Sequence, residues 1–134
     1  MATILIADDD PIVRELASEM LRETEHSAIL AADGREVLQL LDRLQVDLLI
    51  TDMLMPNMDG LEVIIAVRQK SPGLKVLAVS GGGSVGAPYM LHVAKVLGAD
   101  ATLEKPLRSS SFLTVIEDLL WSGPSPENGV QTAA

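Results

Sequence analysis

Asp8, Asp9, Asp52, Ser80 and Lys105 are the residues whose types and spacing could do chemistry together. Asp8 and Asp9 follow one apolar run and Asp52 closes another. If those runs are neighbouring strands, three carboxylates share one small cleft. Unit charges about 4 Å apart repel by roughly 1 kcal/mol in water and roughly 4 kcal/mol at an effective dielectric near 20, so the cluster is unfavourable without a cation or shifted pKa values. A bound metal is the simplest relief. Oxygen donors without His or Cys suit Mg²⁺ or Mn²⁺ rather than zinc, and Mg²⁺ takes a few carboxylates, several waters and a phosphate oxygen. Lys105 adds a positive point charge and Ser80 a hydroxyl donor, the groups needed to neutralise and orient a phosphoryl oxygen in transfer.

These residues can meet only if the surrounding elements bring them together. Five short runs rich in Val, Ile, Leu and Ala alternate with five amphipathic stretches, which predicts an α/β fold with a parallel sheet covered by helices on both faces. The strands are placed at Thr3–Asp8, Ser27–Ala32, Asp47–Asp52, Lys75–Ser80 and Ala101–Lys105. After the first, Asp10 is positioned as an N-cap and Pro11 as the first helical residue. Ile12, Leu16, Met20 and Leu21 follow at helical spacing, and Leu16 and Met20 read as core. Asp33 with Glu36, and Asp59 with Glu62, each have the spacing of a capping box before an apolar periodic segment. The fourth helix is the weakest: the glycine-rich stretch 81–86 predicts a mobile loop, and Pro88 sets the first turn before Met90, Val93, Ala94 and Leu97. The fifth runs from Ser109 to Trp121 and buries Phe112, Ile116, Leu119 and Leu120. Residues 122–134, rich in Ser, Pro and Gly, read as a flexible tail behind a domain spanning 1–121. In a doubly wound sheet, functional groups gather beyond the carboxyl ends of the strands, which is where all five chemistry-bearing residues fall.

Bulk properties narrow the field. A chain of 134 residues is the size of one ordinary domain. The net charge of −9 argues against a nucleic-acid surface, which rests on Lys and Arg contacts to phosphates. The absence of cysteine excludes disulfides, thiol catalysis and zinc–thiolate sites. No apolar run approaches the roughly 20 residues of a membrane helix, and the expectation is a soluble, cytoplasmic protein that engages no membrane.

The motifs together resemble the response-regulator receiver family of two-component signalling. The resemblance rests on Ile4-Leu5-Ile6-Ala7-Asp8-Asp9-Asp10, on Leu49 through Gly60 with Asp52-Met53-Leu54-Met55-Pro56 at its centre, on Val79-Ser80-Gly81 and on Leu103-Glu104-Lys105-Pro106, in order and spacing over residues 3–121. It implies a flavodoxin-like (βα)5 fold with sheet order 2-1-3-4-5. It also implies that Asp52 is the phosphoacceptor, taking a phosphoryl group from a histidine kinase or histidine phosphotransfer protein without being a turnover enzyme. By the same resemblance Asp9 and Asp52 ligate Mg²⁺, Asp8 acts largely through water, and the backbone carbonyl of Leu54 completes the protein ligands. Ser80, Lys105, Met53 and Gly81 form the phosphoryl-binding set. Pro106 follows a cis bond that aims Lys105 inward, and Ser80 relays the added charge to a downstream protein through the face of helix 4, strand 5 and helix 5.

Two departures from the family pattern alter these expectations. Three residues before Lys105 the family carries Tyr or Phe, whose ring swings inward on activation, and here stands Thr102. Transmission is therefore expected to run through the loop after Ser80 and a shift of helix 4. Leu54 and Gly82, two residues beyond Asp52 and Ser80, offer no polar chain to position a hydrolytic water, so slow self-dephosphorylation is expected. Competing readings fit less well. A degenerate receiver acting only as an interaction module would have lost an acidic residue, the acceptor or the lysine, and none is lost. A haloacid-dehalogenase-type phosphatase needs an Asp where Leu54 stands, and a flavin carrier needs a phosphate cradle where three carboxylates stand. With no output domain after the fifth helix, the expectation is a stand-alone regulator, with a receiver fragment of a larger regulator as the alternative.

Overall fold

The structure, a computed structural model, describes residues 1–81 and 86–121. The mobile loop and flexible tail expected from the sequence fall mostly on residues 82–85 and 122–134, outside the described residues. Strands β1 (Thr3–Ala7), β2 (Ser27–Ala31), β3 (Leu48–Asp52), β4 (Lys75–Ser80) and β5 (Ala101–Glu104) alternate with helices α1 (Pro11–Arg22), α2 (Gly34–Arg43), α3 (Gly60–Lys70), α4 (Ala87–Leu97) and α5 (Ser109–Trp121). All strand pairs are parallel, in the order β2-β1-β3-β4-β5, as expected.

Alternation along the strands splits the core in two. Leu5, Leu49, Val76 and Ala78 pack with Val37 of α2, Val63, Ile64 and Val67 of α3 and Leu91 and Ala94 of α4. Ile4, Ile6, Leu48, Ile50, Leu77 and Val79 pack with Ala17 and Leu21 of α1 and Phe112, Ile116 and Leu119 of α5. Because β1, β3 and β4 are covered on both faces, they read in the sequence as continuous apolar runs, the mark of a buried parallel sheet.

Helix starts follow local chemistry, with two corrections. Asp10 caps α1 by accepting from Ile12 N–H at 2.9 Å with Pro11 in the first turn, and Asp59 with Glu62 forms a complete capping box on α3. The predicted box on α2 is only half formed: Asp33 accepts from Glu36 N–H at 2.9 Å, but the Glu36 carboxylate turns to Ala32 N–H at 2.7 Å. On α1, the expected core residue Leu16 is 43 % exposed and Ile12 is 75 % exposed, while small Ala17 and Leu21 take the buried positions. The periodicity was real, but the inward stripe lies one residue round the helix.

A charged clamp joins the far ends of α3, α4 and β4. Arg68 donates from Nε to Gly98 O at 2.8 Å and from Nη1 to Leu74 O, and it pairs through Nη2 with Asp100 at 2.7 Å. Asp100 also accepts from Val76 N–H at 2.8 Å. Both side chains are largely buried, so removing one partner strands the other's charge. Asp100→Ala is expected to lower the free energy of unfolding in urea by about 3 kcal/mol, and a loss within the range of a surface substitution would contradict this role.

Candidate functional site

The carboxyl ends of β1, β3, β4 and β5 form one rim. Asp8 lies one residue past β1, its N–H still bonded to Ala31 O at 3.1 Å, and Asp52 closes β3. Asp8 and Asp52 are buried whereas Asp9 is exposed. One carboxylate oxygen from each of the three lies within 4.8 Å of the others. From just past β5, Lys105 Nζ reaches Asp8 Oδ2 at 2.7 Å and Asp52 Oδ1 at 3.3 Å. Its backbone N–H donates to Ser80 O at 2.7 Å, which ties the lysine to the end of β4, and the Lys105–Pro106 bond is cis.

The remaining predicted residues take varied places. Ser80 is buried at the end of β4 and Gly81 beside it is half-buried with open space where a Cβ would stand. Met53 is fully buried, and its N–H donates to Val79 O at 3.0 Å. Leu54 holds its side chain 62 % exposed. Thr102 lies half-buried in β5, in register with Ala78 of β4. Gly82 falls outside the described residues.

The electrostatics follow from burial. Desolvation raises the Asp52 carboxyl to about 6, the Asp8 charge adds to the rise, and the Lys105 charge and hydrogen bond oppose it. For Lys105, burial pulls the ammonium down, but the hydrogen bond to Asp8 and the Asp52 charge outweigh it, and the net shift is upward. The lysine thus leaves the Asp52 charge only partly compensated. A close set of hard carboxylate oxygens with residual negative charge fits a small divalent cation, and the donor set matches Mg²⁺ or Mn²⁺ rather than a soft metal.

Several supporting residues escaped the sequence reading. Arg14 donates to Asp8 O at 2.7 Å, and Asp8 Oδ1 accepts from Asp10 N–H at 2.9 Å, so the acidic turn is fixed by the helix that follows it. Gly60 sits under Asp52: a Cβ there would stand 2.3 Å from Asp52 O, and its N–H donates to Met53 O at 3.1 Å. Asn57, at φ 69°, turns the loop after β3 through the left-handed region and donates to Asp33 Oδ2 at 2.9 Å. Asn57 and Gly60 carry a turn signal in the sequence, whereas Arg14 reads as an ordinary exposed helix residue.

Residues 4–117 match the family model described as the response regulator receiver domain. The chain belongs to this family. The chain is 35 % identical over 132 residues to the response regulator MprA of Mycolicibacterium vanbaalenii, covering 98 % of this chain and 55 % of that protein. It is 32 % identical over 119 residues to the transcriptional regulatory protein GlrR of Escherichia coli, covering 89 % of this chain and 26 % of that one. The chain therefore spans about half or less of the curated relatives it matches. Among solved structures, the receiver domain superposes on the chemotaxis response regulator CheY4 of Vibrio cholerae with TM-score 0.81 and 31 % identity, covering 90 % of this chain and 99 % of that one. A putative response regulator from Chloroflexus aurantiacus gives TM-score 0.82 and 30 % identity, covering 89 % and 97 %. Among the described residues, no helix of the receiver domain is long and apolar enough to cross a membrane.

Because folding raises the Asp52 pKa above its ordinary value of 3.8, ionising Asp52 costs stability. That cost is absent below the unfolded value, grows as pH rises through the folded value of about 6, and is complete above it. Asp52→Asn is expected to be more stable than wild type by about 2 kcal/mol near pH 7.5 without divalent cation, and to lose that advantage toward pH 4. Urea titrations at the two pH values decide it, since an advantage independent of pH would contradict the assignment.

Proposed function

We propose that this receiver domain accepts a phosphoryl group on Asp52 from the phosphohistidine of a histidine kinase or histidine phosphotransfer protein. The observation that carries the reading is the Lys105 ammonium set between Asp8 and Asp52 at the rim where Asp9 and Ser80 also end. An Asp52 oxygen bonds to phosphorus as the donor's P–N bond breaks, and the leaving imidazole nitrogen takes a proton. Asp9, Asp52 and the backbone carbonyl of Leu54, with Asp8 through water, would hold Mg²⁺, which when bound supplies positive charge to the transferring oxygens. Lys105 keeps the acceptor oriented before transfer and pairs with the phosphoryl oxygens after it. Ser80 donates to one of those oxygens. The exposed Ile12 and Leu16 on α1, beside the acidic turn, offer the donor an apolar contact.

The product reports its state through protein contacts and is not turned over as a substrate would be. Phosphorylation adds roughly −1.5 to −2 charge at neutral pH, which draws Ser80 toward the acceptor. With Thr102 in place of a ring, the moving part is the segment after Ser80 together with α4, whose N-cap is Gly86, a residue with no side chain to hold the helix start. The downstream protein then reads an altered face of α4, β5 and α5. At the acceptor itself, the exposed apolar Leu54 leaves no polar side chain to orient water, which favours a long-lived acyl phosphate.

Treatment with a small phosphodonor and Mg²⁺, followed by intact mass spectrometry, is expected to add one phosphoryl group to wild type and none to Asp52→Asn. The same adduct in Leu54→Asn is expected to decay faster than in wild type. A wild type that gains no phosphoryl mass would leave a receiver acting only as an interaction module.

A further inference from the structure

The opposite edge of the sheet, far from the acceptor, holds a cavity of about 850 Å³. Its lining runs from Met1, Ala2, His26 and Lys75 to the last turn of α5 at Leu120 and Trp121. The volume lies in the range of sites that enclose a small organic molecule. Its charged groups differ in how far they are committed. Asp47 accepts from Thr3 N–H at 2.8 Å. The ring of His26 accepts at Nδ1 from Ala2 N–H at 3.0 Å, which leaves the proton on Nε2 to donate to Glu117 at 2.6 Å. Glu25 sits at the exposed rim.

Lys75 stands apart from these. It opens β4 and is 7 % exposed, yet among the described residues its side chain makes no hydrogen bond and no ion pair. Every fully buried side-chain nitrogen or oxygen in the described structure has a partner, so the Lys75 ammonium must meet solvent through the cavity it lines. A partly desolvated cation without a counter-ion gains more from a charge-assisted contact than an exposed surface lysine does. The same cavity is lined by Leu120 and by Trp121, the chain's single tryptophan, which has 84 % of its surface open to solvent.

We propose that this cavity binds a small organic monoanion, with its carboxylate or sulfonate head on Lys75 and a flat apolar body against Trp121 and Leu120. The carboxylates of Asp47, Glu117 and Glu25 that line the same cavity repel additional negative charge, which favours a singly charged head over a phosphate dianion. The site is independent of the acceptor chemistry and stands whether or not Asp52 is phosphorylated.

The probe is 8-anilinonaphthalene-1-sulfonate titrated into the full chain, with energy transfer from Trp121 reporting occupancy. Saturable one-site binding is expected, weakened at least about tenfold in Lys75→Gln and retained in Lys75→Arg. On the unaltered protein, neutral N-phenyl-1-naphthylamine is expected to bind at least about tenfold more weakly, which keeps the test decisive if Lys75→Gln fails to fold. Naphthalene-1-sulfonate should displace the probe more effectively than 1-naphthyl phosphate. Equal affinity for the neutral and anionic probes, or unchanged binding by folded Lys75→Gln, would overturn the proposal.

Discussion

Two carboxylates buried side by side are the constraint on which the receiver rim is built. Asp8 directly follows β1 and Asp52 ends the adjacent parallel β3, so register brings them together, and burial removes the water that would otherwise screen them. Lys105 supplies the nearest compensation but comes from β5, two strands beyond β3. Strands are spaced about 4.8 Å apart, so the chain after β5 must fold back over β4 for the ammonium to arrive. The bond from Lys105 N–H to Ser80 O at 2.7 Å holds it in that position. The lysine then lies closer to Asp8 than to Asp52, 2.7 against 3.3 Å. Asp52 therefore keeps the weaker share of the single positive charge, consistent with a carboxyl raised to about 6 by burial and by Asp8.

The same crowding explains the loop between Asp52 and α3. For Asp52 to stay at the rim, the chain after it must turn sharply and send α3 back beneath the strand. Gly60 allows the close approach, since any side chain there would collide with Asp52 O and Met53. Asn57 allows the turn, tolerating a left-handed backbone while its amide fastens the loop to Asp33 at the head of α2. Asp33 is thus shared between its own helix cap and the loop after Asp52, and its carboxyl is lowered first by the Glu36 backbone hydrogen bond and then by Asn57.

Much of this was legible in the sequence because the strands are buried on both faces and their ends are marked by polar residues of unusual type. The five elements of each kind, the N-caps at Asp10 and Asp59 and the convergence of Asp8, Asp9, Asp52 and Lys105 all followed from that pattern. Four of the strands were drawn one residue too long, at Asp8, Ala32, Asp47 and Lys105, where polar or loop residues border the ladder. What the sequence could not disclose depends on contacts across the fold. Whether Glu36 returns to its own cap or to Ala32, whether Leu16 or Ala17 faces the sheet, and whether Arg14 reaches Asp8 O are each decided by a neighbour distant in sequence or by the packing angle of a helix. Thr102 is a different case: its identity was plain, and its place in β5 opposite Ala78 adds a location without a moving part.

The two edges of the sheet stand in opposite electrostatic states. At the carboxyl edge, one lysine serves two buried carboxylates; at the amino edge, one buried lysine side chain lacks a partner among the described residues, while the carboxylates that line its cavity are engaged or exposed. Strand β4 joins them, beginning at Lys75 and ending at Ser80 with all six residues buried. A strand hydrogen-bonded on both sides and packed on both faces has no evident second arrangement, so it cannot by itself carry a signal between the edges. Helix α5 is better placed. Its first turn follows Lys105 and Pro106, its last turn walls the lower cavity, and Phe112, Ile116 and Leu119 lie against Ile6, Leu77 and Val79 between them. Of the elements that reach both edges, α5 is therefore the one whose sliding on that apolar layer could couple the cavity to Asp52.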